Sequence, residues 1–211
     1  MKNSKPTFFT SDWHIGHANV IKYDDRPFKD IKHMERTLIN NYNSTVPKNG
    51  ICYFLGDMGM GEEKDLTKVL SQLNGTKVLL LGNHDKGMNS MYNSGFDVVL
   101  YSATIYLGSH KITMSHCPMI GVKREPEERL GKWTGSNWHG EHKNTRFSVH
   151  EHAGFHLHGH VHSPPDSDNR IGGRILDNQF DVGVRANKYT PVSMSTVESW
   201  IAQTLVNEGS K

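Results

Sequence analysis

Five short clusters of aspartate, asparagine and histidine are spaced along this chain, with the sequences DWH, GD, GNHD, SH and GHVH. Carboxylate, amide and imidazole donors without thiolates suit Mn, Fe, Zn or Ni ions. If the clusters converge, they can hold two divalent ions, as in many phosphatases and nucleases. The candidate metal ligands are Asp12, His14, Asp57, Asn83, His116, His160 and His162.

The clusters fall where predicted strands end. Short apolar or alternating segments predict strands over 7–11, 50–57, 77–85, 97–107, 110–118, 154–162 and 179–186. Apolar residues at helical spacing predict helices over 30–46, 63–75 and 193–205. Gly75 is expected to end the second helix, and a Ser or Thr to cap the third. Loops at the carboxyl ends of strands form ligand sites in α/β folds, so the clusters are expected to meet.

The order of these elements predicts the fold class. Strands and helices alternate in the first half, which favours α/β, and strands dominate the second half, which favours a second sheet. Segment 119–153 has no clear periodicity and is too long for an ordinary connection, which indicates a lid or binding loop. The 211 residues fit a single domain over 1–211 that carries this insertion.

The composition disfavours several classes of protein. No apolar run approaches the roughly 18–20 residues of a membrane span, and the N-terminal apolar stretch is too short for a signal peptide. A cytoplasmic location is therefore expected, with no membrane partner and with Cys52 and Cys117 reduced. The formal net charge of +2 is too small to indicate binding to a long nucleic acid. The oligomeric state is open.

The five clusters, in this order and at these spacings, resemble the calcineurin-like metallophosphoesterases. The softer stretches HIGHANVIKY, RPF and DVGV extend the resemblance over most of the chain. It implies a two-sheet sandwich flanked by helices (αββα) with a dinuclear metal site. It also implies that Asp57 bridges the two ions. The other ligands would be Asp12, His14 and His162 for the first ion, and Asn83, His116 and His160 for the second.

The resemblance implies a mechanism as well. A water or hydroxide held between the ions would attack phosphorus, and His84, oriented by Asp85, would contact the phosphate and protonate the leaving group. Mn is the expected metal, with Fe, Zn, Ni or Mg as alternatives. The expected substrate is a small, nucleotide-like phosphodiester. The candidate substrate-binding residues are His17, Trp133, Trp138 and His139.

Two departures from the family pattern narrow the comparison. The protein Ser/Thr phosphatase branch has an arginine after GD and a GNHE motif, whereas this chain has GDMGMG and GNHD. Arg185 stands where an acidic residue is expected, and Asp181 is the nearest acidic candidate. Two alternative functions stay open. One is a scaffold that has lost catalysis, although His84 is retained, and the other is a nuclease, although no basic stripe is visible.

Overall fold

The structure is a computed structural model that describes residues 5–119, 146–150, 152–165 and 178–209. The strands within these ranges are β1 (Thr7–Thr10), β2 (Ile51–Phe54), β3 (Thr76–Leu80), β4 (Val98–Leu100), β5 (Ser102–Leu107), β6 (His110–Ser115), β7 (Phe155–His158), β8 (Gln179–Asp181) and β9 (Val192–Ser193). The helices are α1 (Asn19–Tyr23), α2 (Ile31–Thr45), α3 (Glu63–Leu70), α4 (Met88–Asn93) and α5 (Met194–Glu208).

The strands form two sheets. The first has the order β4-β3-β2-β1-β9, in which β1 to β4 are parallel neighbours and β9 runs antiparallel to β1. The second has the order β5-β6-β7-β8, in which β5 is antiparallel to β6 and the remaining pairs are parallel. The predicted α/β first half and the predicted second sheet are therefore confirmed.

Two hydrophobic cores hold the layers together. One lies between the first sheet and helices α2, α3 and α4, and includes Leu38 of α2 and Phe54 of β2. The other lies between the two sheets and includes Leu80 and Leu157, with Trp200 of α5. Successive residues of a strand point to opposite faces, so the first sheet contributes side chains to both cores. The result is a mixed α/β fold with two sheets flanked by helices.

The two long helices begin with side-chain caps. The hydroxyl of Ser193 accepts a hydrogen bond from the Thr196 amide at 3.1 Å, which confirms the predicted Ser or Thr cap of α5. The carboxylate of Asp30 accepts one from the His33 amide at 2.7 Å at the start of α2. Each bond satisfies one amide that the helix itself leaves without a partner.

Helix α3 ends earlier than predicted. It stops at Leu70, so the prediction that Gly75 caps its C-terminus is wrong. Gly75 instead lies at the turn into β3 with φ of +73°, where an added Cβ would lie 2.6 Å from the Gly50 carbonyl oxygen. The Asn74 side chain donates to the Val46 carbonyl at 3.0 Å. These contacts with the loop before β2 draw the chain away from the helix.

The predicted lid at 119–153 lies mostly outside the described residues. The same holds for three of the predicted substrate-binding residues, Trp133, Trp138 and His139. The described residues of the segment include Met119 and Phe147, which are both buried. The Phe147 carbonyl accepts a hydrogen bond from the Cys117 amide at 2.8 Å, next to the predicted ligand His116.

Two further findings concern membrane-spanning helices and the two cysteines. Within the described ranges, none of the helices combines the length and the apolar character needed to cross a membrane. Cys52 and Cys117 are both free and buried. Burial raises the pKa of each thiol, so both are protonated at neutral pH.

Candidate metal centre

The carboxyl ends of five strands bring the clusters together. The strands β1, β2 and β3 are parallel neighbours, as are β6 and β7, so within each sheet the loops that follow them leave from one edge. A bond between the sheets joins these loops, because the His160 amide donates to the Asp12 carboxylate at 3.1 Å. The seven predicted ligands therefore lie at one place in the fold.

One group of donors contains Asp12, His14, Asp57 and His162, whose ligand atoms lie within 4.8 Å of one another. The Nε2 atoms of His14 and His162 are 3.1 Å apart. The Nε2 atom of His162 is 3.5 Å from Asp12 Oδ1, and that of His14 is 3.8 Å from Asp57 Oδ2. Two carboxylates and two imidazoles thus face a common centre.

A second group surrounds the Nε2 atom of His116. It lies 3.0 Å from Asn83 Oδ1, 3.2 Å from His160 Nδ1 and 3.3 Å from Asp57 Oδ2. The Oδ2 atom of Asp57 therefore faces both groups. Its Oδ1 atom accepts a hydrogen bond from the His84 amide at 2.9 Å, which fixes the orientation of the carboxylate.

Five of these seven residues have left-handed backbone conformations. The φ angles are +61° for Asp12, +55° for His14, +52° for Asp57, +71° for His160 and +48° for His162. Residues with a Cβ avoid this region, at a cost of roughly 1–2 kcal/mol per residue. Such strain clusters at functional sites, where it directs side chains that regular backbone geometry would point elsewhere.

Glycines let the loops approach one another closely, as the sequence predicts. Gly56 has φ of +86°, and an added Cβ would lie 2.5 Å from His116 Nδ1. At Gly82 an added Cβ would collide with the Asp57 carboxylate. Each glycine stands directly before a predicted ligand, so a larger residue would displace that ligand and its neighbour together.

The electrostatics of the two groups favour bound positive charge. Burial opposes the ionisation of Asp12 and Asp57, but the facing imidazoles outweigh it and lower the pKa of both carboxyls. Burial also opposes the protonation of His162 and His116, yet Asp12 raises the pKa of the first and Asp57 raises that of the second. Each group thus attracts a proton, whose place a divalent cation can take. The donor set therefore fits metal ions.

The outer nitrogens of the ligand imidazoles have different surroundings. The Nδ1 atom of His116 lies 2.7 Å from the Leu55 carbonyl oxygen, to which it donates. This bond leaves the lone pair of Nε2 directed at the second group, as metal ligation requires. The Nδ1 atom of His14 is buried and has no hydrogen-bond partner among the described residues.

A buried ion pair that was not predicted from the sequence lies behind His162. Both carboxylate oxygens of Asp24 are 2.9 Å from His162 Nδ1, and Arg26 Nη2 lies 2.8 Å from Asp24 Oδ2. The stretch RPF contains Arg26 and was the one signal in the sequence near this pair. Asp181, the acidic residue that the sequence offered in place of Arg185, instead accepts hydrogen bonds from the backbone amides of Ser163 and Gly183.

The two residues predicted to act in catalysis lie in the loop after β3. His84 is exposed, and its ring centre is 5.7 Å from that of His14. The carboxylate of Asp85 accepts from the amides of Asp57, Met58 and Gly82 at 2.8 to 3.0 Å. Asp85 therefore ties the loops after β2 and β3 together, and among the described residues it has no hydrogen bond to the His84 ring.

The predicted substrate-binding residue His17 also lies near His14. The centres of these two rings are 6.0 Å apart, and His17 is partly exposed. The ring of Tyr23, which was not predicted from the sequence to bind substrate, has its centre 6.1 Å from that of His17 and is 74% exposed. Aromatic rings thus lead from the first group of donors to the surface.

Cys117 lies beside the second group. Its sulfur is within 4.8 Å of the ligand atoms of His116 and His160. Burial raises the pKa of this thiol to about 12, whereas the thiolate is the form that binds metals. Cys117 is therefore a buried packing residue, and we do not count it as a ligand.

Comparisons with known proteins assign no activity to this arrangement. No family model matches the chain. An uncharacterized protein of Methanocaldococcus jannaschii is 37% identical over 111 residues, which are 52% of this chain and 60% of that protein. The chain thus spans less than two thirds of the length of that relative. The gene 66 protein of Mycobacterium phage L5 is 28% identical over 200 residues, 85% of this chain and 86% of the phage protein.

A solved structure shares the fold. It belongs to a protein of unknown function from Aquifex aeolicus, with a TM-score of 0.64 and 23% sequence identity. The superposition covers 93% of this chain and 99% of the other. At this level of identity the similarity concerns the fold alone, and function has to be argued from the site.

Proposed function

We propose that this chain is a metallophosphoesterase, with the αββα sandwich of that family and a dinuclear metal centre. One observation carries the proposal, namely that seven oxygen and nitrogen donors converge with Asp57 Oδ2 facing both halves of the set. Such donors suit Mn first, with Fe, Zn, Ni or Mg as alternatives. Paired sites of this kind serve in-line displacement at phosphorus.

Each half of the site has its own ligands in this proposal. Asp57 would hold both ions, since its Oδ2 atom faces both groups of donors. When bound, the two ions supply a water nucleophile at neutral pH and neutralise charge on the phosphoryl oxygens. The remaining ligands are Asp12, His14 and His162 for the first ion, and Asn83, His116 and His160 for the second.

His84 supplies the proton for the leaving group in this proposal. Its exposed ring lies beside His14, so it can reach a phosphoester held at the centre without displacing a ligand. The bond from its amide to Asp57 Oδ1 holds its backbone against the bridging residue. A histidine is the usual proton donor at neutral pH, and a positioned donor contributes about 10²–10⁴-fold to the rate.

The substrate is a small, nucleotide-like phosphodiester in this proposal. The rings of His84 and His17 are both close neighbours of His14, so a phosphate near His84 can extend its organic group toward His17 and Tyr23. An exposed tyrosine beside a phosphate site can stack on a base. Arg26 is buried behind the ligands, where it cannot contact a phosphate backbone, and the formal net charge of +2 does not favour a long polyanion.

The first experiment tests the reaction itself. We expect the metal-free protein to be inactive and the Mn-reconstituted protein to hydrolyse cyclic nucleotides, dinucleotides or nitrophenyl phosphodiesters, with activity lost again on chelation. The panel is repeated with Fe, Zn, Ni and Mg, and with phosphomonoesters and DNA. Two bound ions without hydrolysis of any ester would support the silent scaffold. Cleavage of DNA alone would support the nuclease, and faster cleavage of monoesters would correct the substrate class.

The second experiment tests the aromatic surface. Tyr23→Ala is expected to raise KM for a dinucleotide about fivefold or more, because stacking on a base contributes about 1–3 kcal/mol. The kcat/KM for methyl 4-nitrophenyl phosphate should change little. Tyr92→Ala is the matched control, since Tyr92 is 60% exposed on α4. Equal losses on both substrates would show that Tyr23 supports the loop and does not contact a base.

A further inference from the structure

We propose that Asp24 and Arg26 are positioning residues that set the tautomer and the direction of His162 for the first metal ion. The inference rests on the metal centre of the proposed function. Asp24 is 4% exposed and Arg26 is 3% exposed, and the two side chains are joined at 2.8 Å. A buried ion pair is costly to desolvate, so its placement directly behind a ligand calls for a role beyond stability.

Asp24 fixes the outer nitrogen of His162. Its two oxygens lie 2.9 Å from His162 Nδ1, so Nδ1 must carry the hydrogen. The lone pair of Nε2 is then directed toward Asp12 Oδ1 and His14 Nε2, at 3.5 and 3.1 Å. A carboxylate on the outer nitrogen of a ligand histidine selects its tautomer and strengthens it as a donor to metal.

Arg26 fixes Asp24 and also holds the first cluster. Its Nε and Nη2 atoms donate to Asp24 Oδ2 at 2.9 and 2.8 Å. The same guanidinium donates to the backbone carbonyls of Asp12 at 3.1 Å and Trp13 at 3.4 Å. The guanidinium is planar and rigid, so one side chain sets the distance between the backbone at Asp12 and the carboxylate behind His162.

In the second group of donors, a backbone carbonyl and not a carboxylate orients the ligand histidine His116. The outer nitrogen of His116 donates to the backbone carbonyl of Leu55 at 2.7 Å, which a change at position 24 does not alter. His14, the other imidazole of the first group, has no partner on Nδ1 among the described residues. Changes at Asp24 or Arg26 should therefore weaken the first ion selectively.

Asp24→Asn tests this directly. The amide oxygen of asparagine can keep the bonds from Arg26, but its NH₂ group then faces His162 Nδ1. That NH₂ group takes the Oδ1 position, 2.9 Å from Nδ1, where it can bond Nδ1 only as a donor, so the substitution favours the tautomer with hydrogen on Nε2 and without a lone pair for the metal, as when asparagine replaces the aspartate of a catalytic triad. We expect one of two Mn²⁺ or Zn²⁺ binding steps to weaken about 10–100-fold in calorimetric titration while the other stays unchanged. The ¹⁵N shifts of the His162 imidazole in the Zn²⁺-loaded protein should report the changed tautomer.

Asp25→Asn is the matched control. Asp25 adjoins Asp24 but is exposed, and its φ of +50° is tolerated by asparagine, so both binding steps should match the wild type. Arg26→Lys keeps the charge but loses the planar fork, and should weaken the same step to a smaller extent. If circular dichroism shows that Asp24→Asn does not fold, Arg26→Lys takes its place as the test.

The outcomes separate this inference from the proposed function. Unchanged titrations and ¹⁵N shifts in both variants, or equal weakening of both steps, would overturn the positioning role and leave the phosphoesterase proposal standing. A wild type that binds two ions but hydrolyses no ester would overturn the proposed function and leave the positioning role intact. A wild type that binds neither Mn²⁺ nor Zn²⁺ would overturn both.

Discussion

Asp57→Asn is expected to weaken both metal ions at once, each by more than the roughly 10–100-fold that loss of an outer partner costs. The reason is that one atom, Asp57 Oδ2, lies 3.3 Å from His116 Nε2 and 3.8 Å from His14 Nε2. An amide cannot supply the negative charge that each half of the site uses to attract a cation. Metal analysis after reconstitution with excess Mn should fall from about two ions per chain toward zero, and diester hydrolysis should fall with it.

The control for this variant is Asp65→Asn, which removes an exposed carboxylate in the first turn of α3. Circular dichroism should show an intact fold in both proteins, since asparagine can still accept the His84 amide bond through its side-chain oxygen. Loss of a single binding step in Asp57→Asn, with the other step preserved, would show that Asp57 serves one ion and does not bridge.

The convergence of the site could be predicted because it depends on strong local signals. Apolar runs such as those before Gly56 and Gly82 are buried on both faces of the first sheet, and their lengths predict strands. Once these strands are parallel, the polar residues after them must share an edge. The second sheet was predicted because strands dominate the second half of the chain. The structure adds that β6 and β7 are parallel, and they end just before His116 and near His160.

The short elements could not be predicted. The helices α1 and α4 have five and six residues, and β9 has two, which is too short for a periodic pattern to emerge. The end of α3 was missed for a different reason. Contacts of Asn74 with Asn43 in the last turn of α2 and with Val46 decide where the chain leaves α3, and those contacts exist only in the folded protein.

The residues that orient the predicted metal ligands could not be predicted from the sequence either. Asp24 and His162 are 138 positions apart, so no spacing rule connects them. The left-handed backbone at Asp12 and His14 could not be predicted either, because aspartate and histidine carry no signal as strong as that of glycine. In both cases the fold imposes on a residue a geometry that its own type does not favour.

His84→Ala is expected to leave both metal ions bound and to lower turnover by about 10²–10⁴-fold on a substrate with an alkoxide leaving group. None of the donor distances that define the two groups involves the His84 side chain, and its exposed ring lies beside His14. Its amide bond to Asp57 is formed by the backbone and survives the substitution. Metal titration of the variant should therefore match the wild type.

A comparison of substrates with different leaving groups shows whether His84 acts as the general acid. A nitrophenolate departs without a proton, so loss of a general acid should cost far less on a nitrophenyl diester than on a dinucleotide. His17→Ala is the matched comparison, because His17 flanks His14 at a similar distance, 6.0 Å against 5.7 Å. Loss of the His17 side chain should raise KM for the nucleotide. The effect should not depend on the pKa of the leaving group, as the loss of a general acid would. If His84→Ala slows both substrates equally, His84 binds the phosphoryl group and does not donate the proton.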